Sequence, residues 1–68
     1  MVILLPDDVE WDVPLEHMDV KDAVFVPTLN IAASRSLIKK IAKSLEYEVE
    51  VLMAVEDGYL GVMVWRIS

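Results

Sequence analysis

The dipeptide Asp57-Gly58 constrains this chain more than any other feature. It separates two runs rich in β-branched and apolar residues, so 47–67 reads as a β-hairpin. A type I′ loop needs positive φ at both central positions, and Asp-Gly is a preferred pair there. A two-residue loop also fixes the register. Val55 must face Leu60, Met53 Val62, Val51 Val64, and Val49 Arg66. On the other face Ala54 meets Gly61, Leu52 Met63, Glu50 Trp65, and Glu48 Ile67. The first face is apolar except at Arg66 and should seat a helix. The second should be polar if solvated, yet it carries Leu52, Met63, Trp65 and Ile67. Such a patch is expected to meet a second copy or to seat another part of the chain.

A helix is expected over 31–45. Ile31, Leu37, Ile38, Ile41, Ala42 and Leu45 recur at helical spacing and form an apolar stripe. Thr28 or Asn30 can cap its start by accepting from an orphan backbone N–H. Arg35, Lys39 and Lys43, with Lys40 beside them, form a separate basic face whose last lysines suit the negative end of the helix dipole. Before it, Ala23-Val24-Phe25-Val26 is a short apolar run closed by Pro27, which fits a buried strand. Residues 1–5 read as a short strand ended by Pro6, and Asp19 to Asp22 as a turn.

The stretch DDVEWDVPLE, residues 7–16, alternates. Val9, Trp11, Val13 and Leu15 fall on one side of an extended chain. Pro14 bars this stretch from a central strand but leaves an edge strand or an extended arm. Its apolar side is expected to cover the second hairpin face, from the same chain or a neighbour. The expected architecture is α+β: a single β-α-β-β domain over 23–68, its helix packed on an antiparallel sheet that contains the hairpin. An acidic arm or edge strand, 1–22, precedes it.

Charge separates these regions. Residues 7–22 hold Asp7, Asp8, Glu10, Asp12, Glu16, Asp19 and Asp22 against Lys21 alone. Beyond them Arg35, Lys39, Lys40, Lys43 and Arg66 balance Glu46, Glu48, Glu50, Glu56 and Asp57, so the net charge of −6 belongs to the N-terminal segment. Seven carboxylates can draw a basic groove on a target protein, with Trp11 as anchor. Asp8, Glu10, Trp11 and Asp12 are the candidate protein-interaction set. Arg35, Lys39, Lys40, Lys43 and Arg66 are the alternative, a set of phosphate contacts whose affinity would fall steeply with salt.

Size and composition bound the remaining options. A chain of 68 residues is one domain at most. Domains this small are marginal without disulfides, metals or a partner. There is no cysteine, and His17 is the only histidine. With 56% apolar residues and little interior volume, homo-oligomerisation, most simply a dimer, is the expected support. Catalysis lacks an activating base beside any of the serines, and no glycine-rich phosphate loop or calcium loop is present. No enzyme activity, metal or cofactor is therefore expected. The apolar start, Met1 to Leu5, is too short for a secretory signal, and no apolar run reaches a membrane span. The cytoplasm is the expected location for a cysteine-free chain.

Phe25-Val26-Pro27, the stretch from Ser34 to Val51 (SRSLIKKIAKSLEYEVEV) and that from Glu56 to Ile67 (EDGYLGVMVWRI) together resemble a group of small uncharacterised bacteriophage proteins. These carry an FVP strand, an RS…AK helix and a closing GVRVWR-type motif. The resemblance covers about residues 23–67 and rests on Phe25, Pro27, Arg35, Ser36, Lys43, Gly61, Val64, Trp65 and Arg66. The group has Arg where this chain has Met63, and commonly Gly where it has Glu46. The resemblance implies a viral accessory protein acting inside a host cell. The expected function is binding to, or inhibition of, a host or phage protein, with weak nucleic-acid binding as the alternative.

Overall fold

The computed structural model describes residues 1–68 and shows a small α+β domain. A helix, α1 (Ile31–Ser44), packs on a three-stranded antiparallel sheet of β3 (Ala23–Pro27), β4 (Val49–Glu56) and β5 (Tyr59–Arg66). The strand order is β3-β5-β4, with β5 in the centre. A separate antiparallel pair, β1 (Val2–Leu4) and β2 (Glu10–Asp12), precedes it.

The hairpin has the expected register from Glu56–Tyr59 to Val49–Arg66. Asp57 and Gly58 take φ of 51° and 80°, as a type I′ turn demands. Asn30 caps the helix, accepting from the Ala33 N–H at 3.2 Å. Thr28 plays a different part. Its Oγ1 accepts from the Asn30 N–H at 3.2 Å and shares a buried 2.7 Å hydrogen bond with Ser34 Oγ. Ser34 lies wholly inside the apolar stripe, where its hydroxyl is tolerated because Thr28 satisfies it.

The core lies between the first sheet face and the helix. Val26, Val51, Val62 and Val64 come from the sheet and Ile38 from the helix. Ile3, Leu5, Val13, Leu15 and Met18 join the same cluster. The N-terminal 22 residues are therefore a docked hairpin and turn, not an extended arm, and they do not cover the second sheet face. Pro14 breaks the alternation. At φ −78° and ψ 49° it forms an inverse γ-turn, with the Leu15 N–H donating to the Val13 carbonyl at 2.8 Å. A 3-10 turn, Leu15–His17, follows and carries Leu15 into the core beside Val13. Val9 and Trp11, expected on the same side, remain 39% exposed.

β3 also departs from the expected buried strand. It is an edge strand, and only Val26 is fully buried. Pro27 ends it at the edge, where a missing N–H is harmless.

Candidate interaction surfaces

No pocket opens on this molecule, so its candidate sites are faces and edges. The largest is the second face of the three-stranded sheet. Strand pairing aligns its side chains in rows: Ala23, Trp65 and Glu50; Phe25, Met63 and Leu52; Pro27, Gly61 and Ala54. Leu52 is 45% exposed, Trp65 37% and Ile67 50%, with Met63 half-buried. The four residues singled out from the hairpin register thus share one face, and nothing in the chain covers it.

Phe25 was missing from that set. Only the β3–β5 register places it beside Met63, and the hairpin turn carries no information about that pairing. Its ring explains Gly61. A Cβ at that position would lie 2.7 Å from Phe25 Cζ and 2.8 Å from Pro27 Cα, and would also strike the Val26 carbonyl oxygen. The central strand and β3 approach so closely there that only a hydrogen fits.

The basic face of the helix is formed as its spacing indicated. Arg35, Lys39, Lys40 and Lys43 are all exposed, and none pairs with a carboxylate. Arg66 stands apart from them. Its Nη1 donates to the Met18 carbonyl and its Nε to the Ser68 carbonyl at 3.2 Å, and its guanidinium stacks 3.7 Å from the Tyr47 ring centre. Tyr47 in turn donates its hydroxyl to the Glu16 carbonyl at 2.9 Å. Arg66 is a clamp between the sheet and the N-terminal segment. A phosphate would have to displace those bonds.

The acidic N-terminal residues divide in the same way. Asp8, at φ 62°, sits in the turn that joins β1 to β2. Asp8, Glu10 and Trp11 remain accessible. Asp12 is engaged by the Met1 amine at 3.0 Å, and Glu16 by the same amine at 2.9 Å. Donation to the Glu16 carboxylate first, and then to that of Asp12, holds the amine above its ordinary pKa of 8.0. No three carboxylates gather closely enough to hold a metal ion. No helix is long and apolar enough to cross a membrane.

Comparison with protein-family models, curated proteins and solved structures finds no match to this chain.

Proposed function

We propose that this chain is a small non-enzymatic protein-binding module that pairs with a second copy through its open sheet face. In this reading it is a phage-type accessory protein of the host cytoplasm. It presents Asp8, Glu10 and Trp11 to a basic groove on a target protein. The observation that carries the proposal is the uncovered apolar face of Phe25, Leu52, Met63, Trp65 and Ile67. Contiguous apolar area of this kind marks an interface, and a symmetric dimer is the commonest way to cover it. Sedimentation equilibrium should return twice the 7.7 kDa chain mass. Met63→Arg, at the centre of the face, should return a single chain with unchanged circular dichroism. A wild-type chain that sediments as a monomer at every concentration would refute the pairing.

The four unpaired cations of the helix favour a second reading, weak contact with nucleic-acid phosphates. It predicts fluorescence polarisation of labelled DNA or RNA that rises at low salt and is lost on Lys39→Glu with Lys43→Glu. Residues 23–68 alone are unsuited to this test, because they lack core residues Ile3, Leu5, Val13, Leu15 and Met18.

A further inference from the structure

The edge of the sheet at β4 is separate from the open face and has its own unmet chemistry. On β5 the Arg66 N–H donates to the Asp22 carbonyl at 3.0 Å, and the Leu60 carbonyl accepts from the Thr28 N–H at 3.1 Å. The even-numbered backbone groups of β5 therefore point toward β3. Its odd-numbered groups bond β4 at Glu56, Ala54, Leu52 and Glu50. Antiparallel pairing alternates, so Val49, Val51, Met53 and Val55 direct their N–H and C=O groups away from the sheet. No strand lies on that side. Val51 is fully buried and Val49 half-buried, so the open part of this edge is the hairpin end of β4, at Met53 and Val55, and it has no proline and no lysine, the usual devices that blunt one.

The side chains of β4 say what fits there. On the helix side of the sheet Met53 and Val55 are 67% and 64% exposed, beyond the reach of the helix. On the other side Glu50 and Glu56 are exposed and in no ion pair, with Leu52 and Ala54 between them, while Glu48, just before the strand, accepts from the Ser68 hydroxyl at 3.2 Å. A neighbouring strand would meet Met53 and Val55 on one side and, on the other, Glu50 and Glu56 flanking Leu52 and Ala54. Opposite charges directly across a strand pair stabilise it, and like charges oppose it.

A second β4 is the wrong occupant. Two-fold antiparallel pairing centred on Leu52 sets Glu48 against Glu56, and pairing centred on Met53 sets Glu50 against Glu56. Centring on Val51 or on Ala54 avoids directly opposed charges but leaves every glutamate without a cation.

We propose that the β4 edge binds an extended segment of a partner protein by strand addition, a segment that alternates apolar residues with Lys or Arg. Its apolar residues cover Met53 and Val55. Its cations lie opposite Glu50 and Glu56. The backbone bonds supply affinity and the alternation supplies selectivity. The backbone edge lies outside the face assigned to self-pairing, and Glu50 borders both, so Met53→Pro and Met63→Arg test the two assignments separately.

The probe is a fluorescein-labelled ten-residue peptide alternating Lys and Val, titrated into the full chain by polarisation at physiological salt. Binding is expected, with the exposed backbone amides of Met53 and Val55 shifting in heteronuclear NMR spectra. Three changes should each weaken it by at least about tenfold: replacing every Lys by Glu, scrambling the order at fixed composition, and N-methylating alternate peptide amides. Met53→Pro removes an outward N–H without touching a β4–β5 bond and should do the same. The N-methylated peptide tests the proposal even if that variant is unstable. Equal binding of the ordered, scrambled and N-methylated peptides would mean charge attraction alone and overturn strand addition. So would loss of self-association in Met53→Pro, because a second copy would then hold the edge. Failure of the ordered peptide to bind would overturn it outright.

Discussion

Two single residues carry conformational demands that their chemistry either meets or resists. Glu46 follows the helix at φ 61°, the left-handed region that favours glycine. Its N–H donates to the Lys43 carbonyl at 3.0 Å, and the Tyr47 N–H donates to Ala42 at 2.8 Å, which together make a Schellman cap. A side chain there costs about 1 kcal/mol, so Glu46→Gly should raise the unfolding free energy by about that amount in a urea titration. Gly61 is the opposite case. Gly61→Ala must displace the backbone of β3, not merely a side chain, and should cost about 2 kcal/mol or more in the same titration. The first demand left no signal in the sequence, because glutamate is not a residue that marks a left-handed helix end. The second was not legible in the residues themselves, because the obstruction comes from a strand far away in sequence.

At the scale of elements the β4–β5 hairpin and the N-terminal hairpin are held differently. The turn sets β4–β5 locally. The N-terminal pair has three-residue strands and depends on what it docks against and on the Met1 amine. The Glu16 and Asp12 hydrogen bonds raise that amine's pKa in the folded chain. Its contribution is fully present below the unfolded value of 8.0 and fades as pH rises through the folded value. The melting temperature should therefore fall as the pH is raised above 8.0, and acetylating the amine should abolish that part of the fall. An unmodified chain with the same pH profile as the acetylated one would remove the ion pair from the account. Charge pattern alone showed the acidic segment but not this use of it, since the amine and Glu16 meet only after the 3-10 turn.

For the whole molecule, the decisive fact is that both ends of the chain share one core. A chain of 68 residues commands only about 3 to 10 kcal/mol of stability. Leu15 is 1% exposed, and truncating such a leucine to alanine costs about 2 to 5 kcal/mol. Leu15→Ala should lower the urea midpoint steeply or unfold the chain, a far larger effect than any surface change in the same segment. A midpoint unchanged from wild type would mean that the segment is an appendage after all. The sequence by itself determined the hairpin register, the helix and its two faces, and the sign and place of the charge, because each follows from contacts within a turn or a period. Only the tertiary structure decided where the N-terminal segment goes, that Arg66 is a clamp, that Phe25 belongs to the open face, and that β4 is an edge. Those depend on which strand pairs with which and on how much of the first face one short helix can cover. Pairing and coverage of that kind join residues far apart in the chain, and no local pattern encodes them.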